Sequence, residues 1–222
     1  SHPNSLHRLR IALALGRIGP HAFDDTNGNG TLDRGEKRAG MTELAKLAAD
    51  EDRAVRQMAA FALGEIGDEG SAGTLFFLTG DADPAVAAEA AEALSKIAVS
   101  DKGFQVKGIT RYLWLLDEKV PETVRARAAR YLFRFDRNEA SEAALRILPS
   151  ASPLVRQEAT YTLARRAHPP AREQLQLLLT DPTVLTRAYA VAALGRIADA
   201  ASTEVLVAAL GAIHPWVRTN AA

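Results

Sequence analysis

The sequence predicts an all-α fold: a right-handed α-solenoid of about six helical hairpins followed by a truncated seventh. Two observations carry that expectation. The first is a phrase that recurs as VRQMAAFALGEIG (55–67), VRARAARYLFRFD (124–136), VRQEATYTLARRA (155–167) and TRAYAVAALGRIA (186–198). Its anchors fall at Val55, Val86, Val124, Val155, Thr186 and Val217, spaced by 31, 38, 31, 31 and 31 residues. A period of this size marks units that bury their apolar faces only by stacking on their neighbours. The second is the spacing of apolar residues inside the phrase. Val55, Met58, Ala59, Ala62, Leu63 and Ile66 return at the period of an α-helix.

Each unit reads as helix A, a turn, helix B, and a turn into the next A. The repeats span about 4–50, 51–81, 82–119, 120–150, 151–181 and 182–212, with a partial one at 213–222. In the second repeat, helix A is predicted over about 53–66 and helix B over about 71–79, with Gly67, Asp68 and Gly70 between them. Asp83-Pro84 opens the third A helix, proline being suited to a first helical turn. Similar starts occur at Pro121, Pro153, Pro182 and Pro215. The column at Ala59 continues as Ala90, Ala128, Ala159, Ala190 and Ala221, small residues that let consecutive helices approach closely. HRLRIALALGRIG (7–19) aligns with 55–67 once 17 extra residues are removed, and these lie within an insertion at 20–39. The third repeat carries about seven extra residues before Val124, expected to lengthen its B helix. HPWVRTNAA (214–222) begins a seventh A helix, from which the chain is expected to be a fragment of a longer array.

Composition narrows the function. Lys+Arg and Asp+Glu both number 27, so no net charge favours a polyanion, and no nucleic-acid partner is expected. The absence of cysteine excludes disulfides and thiolate metal sites. The apolar runs fall short of a membrane span. The five histidines (2, 7, 21, 168 and 214) are scattered without metal-ligand spacing.

The run Val55-Arg56…Ala62-Leu63-Gly64-Glu65-Ile66-Gly67, with its echo Leu194-Gly195-Arg196-Ile197, resembles HEAT-like repeats of the phycobilisome-lyase type. The resemblance covers nearly the whole chain and implies the fold more than an activity. Such repeats serve in scaffolds, chromophore lyases, an iron hydroxylase, DNA glycosylases and accessory arrays of enzymes, including prolyl isomerases. The hydroxylases need repeated His-Glu pairs, and no histidine here is followed by glutamate. Neither a Gly-rich phosphate loop nor a nucleophile motif occurs. The expectation is a non-catalytic protein-interaction scaffold. The alternative is a targeting array of a larger enzyme, such as a prolyl isomerase or lyase, whose catalytic domain lies elsewhere.

The insertion holds DTNGNGTLDRGE (25–36), which fits an EF-hand-like calcium loop place by place. Asp25, Asn27 and Asn29 stand at the first, third and fifth positions, and Gly30 at the sixth, where the sharp turn needs a residue without Cβ. Thr31 would supply its carbonyl, Asp33 would act through water, and Glu36 has the reach of a bidentate carboxylate. Oxygen-only ligands suit Ca²⁺. A solvated turn would use the same residue types. Pro20, Gly40 and the lack of a paired loop favour a structural clip over a switch. The ligand set slightly favours a periplasmic or extracellular setting.

The resemblance also implies that B helices line the concave groove. Aligned on Leu44, Leu75, Leu113, Ala144, Leu175 and Leu206 as the core-facing column, the residues two later should face solvent. They include Phe77, Leu115 and Leu177, with Phe76, Tyr112 and Trp114 alongside. Large apolar groups there predict a protein partner in the groove. The Arg column (Arg8, Arg56, Arg125, Arg156, Arg187, Arg218) is expected to pair with turn aspartates such as Asp50, Asp81 and Asp181 rather than with phosphate.

Overall fold

The structure is a computed structural model, and it describes residues 3–18, 40–211 and 215. The described residues form helices and turns, and the chain divides into two compact units, Ser1–Leu115 and Leu116–Ala222.

In the N-terminal unit the A helices are α1 (Pro3–Ile18), α3 (Arg53–Ile66) and α5 (Pro84–Ser100). The B helices are α2 (Met41–Leu47), α4 (Ala72–Leu78) and α6 (Lys102–Leu113). The repeating Asp-x-Asp of the turns explains where A helices begin. Asp52 caps α3 by accepting from the Ala54 amide, and Asp83 caps α5 by accepting from the Ala85 amide, both at 2.9 Å. Each supplies an oxygen to an N–H that has no partner within the helix. Helix α3 ends at Gly67, whose φ of 67° is a left-handed conformation that glycine adopts without steric cost. Helix α5 runs on to Ser100, and Asp101 then caps α6 through the Phe104 amide at 3.0 Å. The extra residues of the third repeat therefore lengthen helix A as well as helix B.

Consecutive A helices pack directly on one another, α1 on α3 and α3 on α5. The sequence permits this by pairing glycine with alanine. A Cβ at Gly16 would lie 2.7 Å from Ala62 Cβ, and one at Gly64 would lie 2.7 Å from Ala93 Cβ. Ala59, Ala90, Leu63 and Leu94 are buried between the layers. Each buried leucine contributes about 1.5–3 kcal/mol of apolar transfer free energy.

In the C-terminal unit the A helices are α7 (Glu122–Tyr131), α9 (Pro153–Arg165) and α11 (Val184–Ile197). The B helices are α8 (Asn138–Ile147), α10 (Arg172–Leu177) and α12 (Ala200–Leu210). Again α7 packs on α9 and α9 on α11. Pro153 occupies the first turn of α9, whereas Pro121 is the N-cap of α7 and Pro182 precedes the cap of α11. Ala128, Ala159 and Ala190 continue the buried alanine column. The Thr162 hydroxyl donates to the Ala129 carbonyl at 2.7 Å, tying α9 to α7.

Candidate functional site

Three features could carry function: the arginine column, the outward side of the B helices, and the outward side of the A helices.

The arginine column is structural. Arg56 Nε and Nη2 donate to Asp81 at 2.7 and 2.9 Å, and its Nη1 donates to the Asp50 and Glu51 carbonyls at 2.9 and 3.1 Å. One guanidinium thus holds the turn before its helix and the turn after its repeat. Arg156 does the same with Asp181 (2.8 Å) and the Ser150 carbonyl (2.7 Å). Arg8 reaches Asp50 at 2.6 Å although the insertion separates them in sequence. Arg187 holds the Asp181 carbonyl at 2.6 Å. The Arg56 hydrogen bond holds the Asp81 carboxyl below its ordinary pKa, against the opposing effect of burial. The Arg56 guanidinium commits four of its five N–H donors to these two turns, which leaves one for phosphate. The ladder breaks at Arg125: Ser150 stands where its aspartate would be, and Arg125 Nε is buried without a partner.

The B-helix surface departs from the sequence expectation by one residue. Tyr112 is fully buried and Leu115 only 7% exposed, so neither faces a partner. The reason is the insertion in the third repeat: the inward column passes through Tyr112 rather than Leu113. Helix α6 then tightens into a 3₁₀ turn at Trp114–Leu116, in which residues three apart share a side, and Leu115 follows Tyr112 into the core. Two residues after the corrected column stands Trp114, 73% exposed, the true counterpart of Phe77 at 70%. Phe76 is half-buried against Phe104 (ring centroids 6.2 Å apart), with the Arg111 guanidinium 4.3 Å from its ring centre. In the C-terminal unit Leu177 is 75% exposed.

The outward side of the A helices in the C-terminal unit was not singled out by sequence. It carries a chain of rings and guanidiniums. Phe133 meets Tyr161 edge-on at 5.7 Å, and Tyr161 meets Tyr189 at 5.2 Å. Arg130 lies 4.5 Å over Tyr161 and bonds Glu158 at 2.7 Å. Arg165 lies 5.1 Å over Phe133 and Arg134 4.2 Å over Tyr131. A signal was present: Arg134, Arg165 and Arg196 recur at 31-residue spacing, ten positions after each anchor.

The predicted calcium ligands Asp25, Asn27, Asn29, Thr31, Asp33 and Glu36 lie outside the described residues. The expected seventh A helix at 214–222 does too, apart from Pro215. Among the described residues, no helix is long and apolar enough to cross a membrane.

These features define a helical-repeat protein whose regular side chains stack and whose irregular ones meet solvent. Residues 41–104 match HEAT repeats and residues 186–212 match the PBS lyase HEAT-like repeat. No curated protein matches the chain. Among solved structures, an engineered protein is similar at 26% identity and TM-score 0.60, over 100% of this chain and 64% of that one. The complex of CpcE and CpcF of phycocyanin lyase from Nostoc sp. PCC7120 is similar at 18% identity and TM-score 0.62, over 88% of this chain and 77% of that one. A designed armadillo repeat protein in complex with the peptide (KR)4 is similar at 20% identity and TM-score 0.59, over 82% and 97%. The last two likenesses concern the fold.

Proposed function

We propose that the chain is a non-catalytic protein-interaction scaffold that holds a partner through the outward side of its B helices. The support is the exposure of Phe77 on α4 and of Trp114 in the 3₁₀ turn that follows α6, both in the N-terminal unit. Large rings held in water contribute nothing to the core. They are the residue types that anchor interfaces. A partner covering both would bury apolar surface worth several kcal/mol before ordering costs. The test is affinity capture with crosslinking, comparing the native chain with Phe77→Ser/Trp114→Ser. The partner should be lost while the melting temperature stays within about 2 °C, since exposed substitutions change stability by about 0.5 kcal/mol or less. Capture unaffected by the double substitution, or no partner at all, overturns the proposal.

We also propose that 25–36 binds Ca²⁺ as a structural clip. The support is the agreement of Asp25, Asn27, Asn29, Gly30, Thr31, Asp33 and Glu36 with the spacing that converges oxygen ligands on one ion. Saturating Ca²⁺ should raise the melting temperature, and Glu36→Gln should abolish the rise. A chain that melts alike with Ca²⁺ and with chelator has no such site.

A further inference from the structure

The geometry points to a second interaction surface: the outward side of α7, α9 and α11 binds an extended acidic protein segment, with a carboxylate at about every third residue. This rests on the scaffold reading and names a partner chemistry for a different surface.

The two units differ on equivalent positions. Three, six and ten residues after each anchor, the C-terminal unit carries Arg127, Arg130, Arg134, Glu158, Tyr161, Arg165, Tyr189, Ala192 and Arg196. Five cations meet one carboxylate. The same positions of the N-terminal unit balance Arg10, Arg17 and Lys96 against Glu65, Glu89 and Glu92. The imbalance extends to the whole units: residues 116–222 hold 14 Lys or Arg against 11 Asp or Glu, and residues 1–115 hold 13 against 16. The neutral total conceals a basic unit and an acidic one.

Arg165 and Arg196 are exposed, and among the described residues no carboxylate pairs with either. Each is nonetheless positioned. Arg165 rests on Phe133, and Arg196 Nε donates to the Ala164 carbonyl. A guanidinium laid on a ring presents its N–H edge outward, the arrangement that receives a carboxylate on two donors. Arg165 and Arg196 lie in the last turns of α9 and α11, and adjacent packed helices stand about 8–10 Å apart, so these two are separated by about that distance; Arg134 stands in the 3₁₀ turn Leu132–Arg134 that follows α7. An extended polyproline-like segment advances about 3.1 Å per residue, and every third side chain returns at about 9 Å. The two spacings match.

Single-stranded nucleic acid fits less well, because it needs open ring faces for its bases. Here Arg130 covers Tyr161, and Tyr161 is also met edge-on by its aromatic neighbours.

The test is fluorescence anisotropy at low salt with a labelled peptide of about twelve residues bearing glutamate at every third position among Pro, Ser and Gly. Two competitors accompany it: the same composition with its glutamates clustered, and a single-stranded oligonucleotide of equal charge. The regular peptide should bind best, and Arg165→Glu/Arg196→Glu should weaken it by about tenfold or more. Arg17→Glu, on the same column of α1, should change it by less than about twofold. If the double reversal loses its helical signal, Arg165→Gln and Arg196→Gln decide the matter singly, each expected to weaken binding about threefold. No peptide binding at millimolar concentration, equal binding of the clustered peptide, insensitivity to these arginines, or tighter binding of the oligonucleotide each overturns the proposal. A partner still captured through Phe77 and Trp114 would leave the scaffold reading standing in that event.

Discussion

Thr186→Val should stabilise the C-terminal unit. Thr186 occupies the anchor column filled by Val55, Val86, Val124 and Val155, all buried. It is itself 0% exposed, and its Oγ1 has no hydrogen-bond partner among the described residues. The neighbouring helix shows what satisfaction looks like. The Thr160 hydroxyl donates to the Arg156 carbonyl and the Thr162 hydroxyl to the Ala129 carbonyl, each at 2.7 Å. A buried hydroxyl left unpaired costs about 1–3 kcal/mol. Valine has the same shape and nearly the same helix propensity, so neither packing strain nor backbone preference offsets the gain. A net gain of about 1–2 kcal/mol corresponds to about 2–8 °C for a protein of this size. Thermal and urea unfolding followed by circular dichroism would read it, with Val155→Thr as the reverse substitution expected to cost a similar amount. A Thr186→Val melting temperature equal to or below that of the native chain would refute the reasoning, because it would mean that the hydroxyl is satisfied.

Three further perturbations follow from the same geometry. Ser150→Asp should complete the broken ladder by giving Arg125 the carboxylate that Arg156 finds in Asp181, gaining about 1 kcal/mol; unfolding in an Arg125→Ala background should show no gain. Gly64→Ala should lose about 1–3 kcal/mol by overpacking, outweighing the ~1 kcal/mol that alanine adds in helix propensity, because the new Cβ would stand 2.7 Å from Ala93 Cβ and 2.8 Å from its Cα. A denaturation midpoint at or above the native one would contradict that close contact. His168 is 6% exposed with Nε2 unpartnered; burial lowers its pKa from the ordinary value, and Glu142 offsets this in part. Its folded pKa lies below the unfolded value of about 6.5, so its contribution is complete above that pH and declines as the pH falls below it. Melting temperatures taken from pH 7 to pH 5 should fall less steeply for His168→Phe than for the native chain.

The A helices were legible because two independent signals coincide on them. Apolar residues at helical spacing mark α3, and an Asp cap with a closing glycine sets its ends at Arg53 and Ile66. The Arg–Asp pairing was legible too, since both partners recur at fixed offsets. The B helices were harder to read. They are short, and the third carries extra residues whose division between α5 and α6 no periodicity announces; a shift of one residue moved Tyr112 and Leu115 from surface to core. The aromatic–arginine surface escaped notice for a different reason. Its residues are ordinary for an exposed helix side and become distinctive only when consecutive helices are laid side by side.

The manner in which each arginine is held bears on how such a chain can lengthen. The side-chain half of the contact, Arg56 with Asp81 or Arg156 with Asp181, closes within one repeat, while the half that crosses to the preceding repeat uses only main-chain carbonyls. For this contact a duplicated block therefore brings its own acid and base and needs only a main-chain carbonyl from the block before it. Gene duplication can add this arginine clasp without a matched mutation in the neighbour, and a copy can later lose half of its pair, as at Ser150, while the array persists. Arg8 and Asp50, still joined across an insertion, show that the same arrangement also tolerates new sequence inside a copy.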